Sequence, residues 1–313
     1  MTNLLLYFAT TLIWGSTWLA IQYQIGSVNP AWSVVYRFAI ASVLLIGFCL
    51  FKRYSLRFNP REHIAIALQG FLLFSINYIL YYYGSAFFIS GIVAVIFASI
   101  IVMNIINSRL IFGTPIVPRV MLGACIGLCG LAVIFWSEIT ALDLSRLGVY
   151  FVVFGLAINL IATYLASLGN MVSTSNQKRG LPILQTNALG MAYGTVFSLF
   201  VALFFHQPFR IEFTINYIAS LIYLAIFGSI FAFGSYLKLL GRIGPERSAY
   251  AFVFIPIIAM CFSTLFEDFR WSLNTVIGTG LVLCGNILVL AKKKVATRTQ
   301  SATPSATPSI EPA

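Results

Sequence analysis

Leu128-Cys129-Gly130 returns as Leu283-Cys284-Gly285, and Gly123 returns as Gly278, both at a displacement of 155 residues (283 − 128 and 278 − 123). The same register joins Tyr81 to Tyr236, Ala94 to Ala249, Phe97 to Phe252, Ile100 to Ile255, Ser108 to Ser263 and Leu110 to Leu265. Leu- and Phe-rich segments share single residues by chance. A gap-free register running from Tyr81 to Gly285 is far harder to reach that way. A unit of this length holds an odd number of membrane-length segments, so its second copy must sit upside down. Inverted repeats are the construction that gives secondary transporters two alternating faces.

Composition sets the class. With 60% hydrophobic and 9% charged residues and a mean hydropathy of +0.94, the chain has too little polar surface for a water-facing exterior. About 20 apolar residues are needed to cross a bilayer as a helix. Ten such stretches are predicted, over 4–22, 31–51, 64–84, 90–112, 119–137, 147–168, 183–205, 215–239, 247–266 and 273–291. The fold class expected is an all-α polytopic membrane protein with ten transmembrane helices in two inverted five-helix repeats, 1–140 and 141–294. The Ser/Thr/Pro-rich stretch 295–313 is expected to be disordered.

Charge tests the count, because Lys and Arg collect on the cytoplasmic side of short loops. With the N-terminus inside, fifteen basic residues fall in the cytoplasm, among them Lys52, Arg53, Arg57, Arg61, Arg109, Arg119, Lys178 and Arg179. Three, Arg146, Arg210 and Arg270, fall outside, with Glu138, Asp143, Glu212, Glu267 and Asp268. Both termini are therefore expected in the cytoplasm, in a cell or inner membrane. The net charge of +11 is a topology signal, with attraction to lipid headgroups as a by-product. Basic residues spread over short loops do not describe a nucleic-acid surface.

Cys49, Cys125, Cys129, Cys261 and Cys284 all fall in apolar stretches and read as small hydrophobes, with no disulfide framework and no metal spacing. No cofactor is implied. The first apolar segment has no preceding basic residue and no small-residue cleavage pattern, so it is expected to remain as the first helix.

Leu12-Ile13-Trp14-Gly15-Ser16-Thr17-Trp18, Asn29-Pro30 followed by Arg37-Phe38, Gly244-Pro245-Glu246-Arg247-Ser248-Ala249 through Pro256, and Ser263 to Trp271 follow one another in order along both halves. In order and spacing the chain resembles the drug/metabolite transporter superfamily, EamA type, over nearly all of residues 4–291. The resemblance implies ten helices in two inverted repeats, a central cavity, and export of amino acids, related metabolites or drugs. Two departures stand out. The register sets Ile101 opposite Pro256, and Gly113-Thr114 replaces the acidic residue common at the end of helix four. The unmatched proline, which permits a kink, suggests that the two halves hinge unequally, with helix nine as the moving gate.

Site residues are sought among polar groups at lipid depth, which are costly unless paired or functional. Arg37 lies about 9 Å along helix two from Ala31, at 1.5 Å per residue. Its guanidinium could hold a substrate carboxylate or phosphate in a bidentate fork. Alternatively it snorkels to the outer headgroups, which its nearness to the outer end favours. Asn77 and Tyr81 on helix three, Asn104 on helix four, Asn159 on helix six and Tyr236 on helix eight are the uncharged candidates. They could bind a zwitterion or serve as interhelical glue. Trp14 offers a stacking wall. Gly123, Gly127, Gly130, Gly278, Gly280 and Gly285 make smooth faces for packing within one chain or across a homodimer.

No phosphate-cradling GxxxxGK[ST] loop is present, which excludes that type of ATP-driven pump. His63 and His206 sit at loop edges and no acid lies mid-helix, so no catalytic set is expected. A carrier of a small molecule is the favoured reading, with a passive channel or membrane scaffold as the alternative.

Overall fold

Short polar side chains start the helices. Thr2, Asn29 and Thr214 each accept a hydrogen bond from a first-turn amide, and Asn59 forms a reciprocal capping box with Glu62. Pro30 and Pro60 occupy the first helical turns, where a missing N–H costs nothing. The computed structural model describes residues 2–26, 28–116, 118–141, 146–243 and 251–290. The Gly244-Pro245-Glu246-Arg247-Ser248-Ala249 motif, Asp143 and the stretch 295–313 lie outside them.

The described residues form helices and no strand. They are α1 (Asn3–Gln22), α2 (Pro30–Phe51), α3 (Pro60–Ser85), α4 (Ser90–Phe112), α5 (Pro118–Ala141), α6 (Arg146–Lys178), α7 (Ile183–Phe204), α8 (Ile215–Ile243), α9 (Ala251–Phe266) and α10 (Leu273–Leu290). Seven, α1 to α4 and α6 to α8, contain segments long and apolar enough to cross a membrane; three shorter apolar segments belong to α5, α9 and α10. The chain is a polytopic, all-α membrane protein, with Leu4, Phe51, Leu110, Phe213, Ile215 and Leu265 among many large apolar side chains left exposed on its exterior.

Hydrogen bonds between loops sort the helix ends into two sets. Gln22 donates to the carbonyls of Ser85 and Phe88, Asn29 to Gln207, Tyr36 to the Arg210 carbonyl, and Ser90 to Glu267. These loops therefore share one end of the bundle. At the other, the Lys178 ammonium lies 3.8 Å from the Phe112 ring centroid. The helices thus alternate in direction, and Arg109 and Lys178 lie opposite Glu267 and Arg210.

Packing follows a numerical pattern. α1 packs on α8 and α9, α6 on α3 and α4, α2 on α7 and on α8, α3 on α7, α4 on α9, and α5 on α10. Pairing each helix with the one five later reproduces the same set. The α5–α10 seam follows this rule at residue level. A Cβ on Gly130 would stand 2.6 Å from the Gly278 carbonyl oxygen, and one on Gly285 would stand 2.5 Å from that of Gly123. Exchanging residues by the 155-residue register converts one contact into the other. Gly123, Gly130, Gly278 and Gly285 thus pack within the chain, whereas a Cβ on Gly280 would meet nothing within 4 Å.

Three helices are irregular. α3 breaks at Ser75 (φ −132°, ψ −90°), whose hydroxyl is bonded to Ser198 at 2.8 Å. α8 opens into a π-helical stretch over Leu224–Phe231. α4 is interrupted between Phe97 and Ile100. The helix holding Pro256 runs over Ala251–Phe266 with the proline inside it, so α4 carries an interruption that no proline marks. Asn286 offers the reason: its amide donates to the Ala98 carbonyl at 3.5 Å, and a side chain inserted into the backbone ladder breaks a helix as proline does.

Candidate functional site

At the centre, eight aromatic side chains close a ring. Trp14 meets Phe233 at 5.1 Å, Phe233 meets Phe74, Phe74 meets Phe38, and Phe38 meets Tyr78 at 4.9 Å. Tyr78 meets Tyr81, Tyr81 meets Phe97, Phe97 meets Phe252 at 6.5 Å, and Phe252 stacks on Trp14 at 5.7 Å. Tyr236 leans on both Trp14 and Phe252, and Trp18 on Tyr81 and Phe97. The ring draws on α1, α2, α3, α4, α8 and α9, so it spans both halves of the chain. Trp14, Tyr78, Phe97, Phe233, Tyr236 and Phe252 keep partial exposure. Edge and offset contacts of this type add about 0.5–1.5 kcal/mol each beyond burial, and their rigid faces present a flat apolar wall.

Arg37 sits against this ring. Its side chain is 2% exposed, so it does not adopt the snorkelling conformation that its place in the sequence suggested. Nε donates to Ser229 Oγ at 3.3 Å, and the guanidinium lies 4.6 Å from the Tyr78 ring centroid and 5.3 Å from that of Phe38. Nη1 is buried with no hydrogen-bond partner among the described residues. Among the described residues the acids Glu62, Glu138, Glu212, Glu267 and Asp268 lie in loops or end turns of helices, and the contacts of the guanidinium include no carboxylate. Cation–π contacts are worth up to about 2 kcal/mol when desolvated, and a hydrogen bond to a charged group about 1.5–3. Burying one ion costs several kcal/mol even after relaxation. Arg37 is thus held, yet not fully compensated.

The π stretch shapes this place. Ser229 donates back to the Leu224 carbonyl, five residues earlier, at 3.0 Å, and Trp14 Nε1 donates to the Gly228 carbonyl at 3.2 Å. A Cβ on Gly228 would lie 2.9 Å from Thr17 Cγ2 and 3.4 Å from Arg37 Nη2, so only glycine lets α1 and the guanidinium approach this turn. Such π turns recur at functional sites.

Trp14, Arg37, Tyr81 and Tyr236 are therefore brought together, in the ring or against it. Asn77, adjacent in sequence to Tyr78, is buried with Oδ1 unpartnered among the described residues. Tyr81 donates to Thr163 at 3.1 Å. Asn104 lies beyond the break in α4 and accepts from Asn170 at 3.5 Å. Asn159 is placed elsewhere: its amide donates to the Gly155 carbonyl at 2.9 Å, and its side chain fills the space that a Cβ on Gly84 would need. It holds α6 against α3.

Sequence reading passed over Phe74, Tyr78, Phe233, Phe252 and Ser229. The i, i+3 and i, i+4 spacings Phe74-Tyr78-Tyr81 and Phe233-Tyr236 carried the signal, hidden among 28 Phe and 15 Tyr residues. It also passed over Glu267, treated as an outer-end charge. The Glu267 carboxylate accepts from the Ser90 amide at 3.1 Å and from the Ser90 hydroxyl, and from Ser263, whose hydroxyl also accepts from the Gly91 amide at 2.9 Å. It thereby ties the end of α9 to the start of α4, where a helix N-terminus favours negative charge. Among the described residues no group of His, Cys, Asp and Glu could hold a metal ion.

The EamA-like transporter family model matches residues 1–136 and again residues 150–291. The chain is 26% identical to the Uncharacterized transporter YoaV of Bacillus subtilis (strain 168), across 92% of this chain and 97% of that protein. It is also 26% identical to the Uncharacterized inner membrane transporter YedA of Escherichia coli (strain K12), across 95% of each. Protein PagO of Salmonella typhimurium is 22% identical over 93% of both chains. A solved crystal structure with 16% identity shares the fold, at a TM-score of 0.66 over 91% of this chain and 95% of that one. Two matches to one model, on either side of a short gap and together spanning most of the sequence, settle membership: the chain belongs to the EamA-like transporter family.

Proposed function

We propose that the protein is a secondary transporter that exports amino acids, related small metabolites or drugs across the inner membrane by alternating access. The observation that carries the reading is the aromatic ring with Arg37, built from helices of both halves at the centre of the bundle. A site shared between inverted repeats, 1–140 and 141–294, is open to each side in turn as the repeats rock. The exchange of packing partners between helices five apart supports such a pair of repeats and all ten crossings. Trp14, Arg37, Asn77, Tyr81 and Tyr236 are the proposed binding residues. Asn104 is assigned to the approach from one side, and Asn159 keeps its packing role beside them.

Reconstituted vesicles test the assignment. Preloading with unlabelled substrate should accelerate uptake of the same labelled compound, because a carrier returns faster when occupied. A channel gives no such acceleration and a scaffold gives no flux, so either result would reject the carrier. A broad panel of amino acids and amphipathic drugs, run with and without a pH gradient, identifies the substrate and any coupling ion.

The charge split supports a cytoplasmic position for both termini. A single cysteine introduced beside Arg57 or Lys178, in a background without the five native cysteines, should resist an impermeant thiol reagent applied to intact cells. The same cysteine should react once the membrane is permeabilised. Labelling from outside intact cells would overturn the orientation.

A further inference from the structure

We infer that the central site takes an organic anion, its carboxylate or phosphate on Arg37 and its apolar or aromatic body against the ring of Trp14, Tyr78 and Phe233. This deepens the carrier reading and rests on the same site. Three observations lead there. The guanidinium is buried, with Nη1 lacking a partner among the described residues, and the acids among the described residues lie in loops or end turns of helices. Its remaining contacts fix its position without neutralising it: Ser229 holds Nε, Tyr78 and Phe38 hold its faces, and the buried Tyr82 hydroxyl lies within its reach. The surrounding walls are aromatic and partly exposed, so the occupant must offer apolar surface as well as charge.

A planar donor fork with a free N–H is matched by a carboxylate or phosphate. A cation would add a second like charge to a dry site, which is unfavourable at short range. A zwitterion supplies the carboxylate, but it also brings an ammonium, for which the contacts around the guanidinium offer no carboxylate. Asn77, with Oδ1 unpartnered among the described residues, could accept from a hydroxyl or an amide on the same molecule. The order expected for one body carrying different charges is anion, zwitterion, neutral, cation.

Four compounds with one phenyl body separate these cases: hydrocinnamate, phenylalanine, hydrocinnamyl alcohol and phenylpropylamine. Their binding to the purified full-length protein is measured by calorimetry, and their flux in vesicles. Hydrocinnamate should bind tightest and phenylpropylamine weakest. Arg37→Gln should weaken hydrocinnamate by roughly ten- to a hundredfold, the worth of a charge-assisted hydrogen bond, and leave the alcohol unchanged. Should that variant fail to fold, Ser229→Ala frees the guanidinium from its anchor and should weaken hydrocinnamate roughly tenfold, again sparing the alcohol.

Equal binding of all four, tighter binding of the alcohol or amine, binding of none, or anion affinity indifferent to a folded variant would each overturn the inference. The carrier reading fails separately. Arg37-dependent hydrocinnamate binding without accelerated exchange would remove the carrier and leave the anion site. Accelerated exchange without charge preference would do the reverse.

Discussion

Gly285→Val should destabilise the protein by about 3 kcal/mol or more, the upper range of overpacking costs. A Cβ at this position meets the backbone of α5, at 2.5 Å from the Gly123 carbonyl oxygen and 2.7 Å from the Gly127 amide nitrogen. Backbone cannot swing aside as a side chain can, so α5 and α10 must separate along their seam. Between lipid-facing helices no hydrophobic force restores the contact, because lipid tails are as apolar as the helices; close approach is what holds them. Gly280→Val is the control, since a Cβ there meets nothing within 4 Å. Thermal unfolding in detergent should show a large drop for the first and little for the second. Equal behaviour of the two would show that the seam is not what holds α5 to α10.

Glu267→Ala should cost about 3 kcal/mol, because it leaves the Ser90 amide and two hydroxyls without their charged acceptor. Those bonds join α9 to α4 at one end of the bundle, so the loss should also be local. A cysteine at Ile89, beside the junction, should react faster with a water-soluble thiol reagent once the carboxylate is gone. Glu267→Gln keeps one acceptor oxygen and should fall between the two. Unchanged stability together with unchanged reactivity in Glu267→Ala would show that the contact does not hold the helices together.

The repeat and the helical class were legible because they rest on long-range order: a fixed register, apolar length and the side on which charge falls. None of these depends on where a given side chain points. Trp14, Tyr81 and Tyr236 could be singled out as unusual residues in apolar surroundings, and they do converge. Arg37 was legible as an anomaly but not in its placement. Distance along α2 suggests the headgroups, whereas the rotamer is decided by Tyr78 and Ser229, which arrive from α3 and α8. Asn159 shows the converse. Its side chain fills the space beside Gly84, a close approach that no local pattern reveals, while its Oδ1 lacks a partner among the described residues. The break in α4 was hidden because its cause, Asn286, stands 188 residues away from Ala98.

The widened turn of α8 has a consequence for how the chain tolerates changes of length. Successive residues of an α-helix point about 100° apart, and the widened turn takes up one residue beyond a regular turn, so winding Leu224–Phe231 as a regular helix without removing a residue would turn everything after it by about that angle. Phe233 and Tyr236, which now face Trp14, would swing to the flank, and neighbours such as Phe231, exposed to the exterior, would be reoriented with them. Loss of a single codon inside the widened turn would be absorbed by its closure, whereas the same loss elsewhere in α8 would leave composition and hydropathy almost untouched while reassigning which side chains form the interior. The identity of the inward face is thus written partly in a residue count.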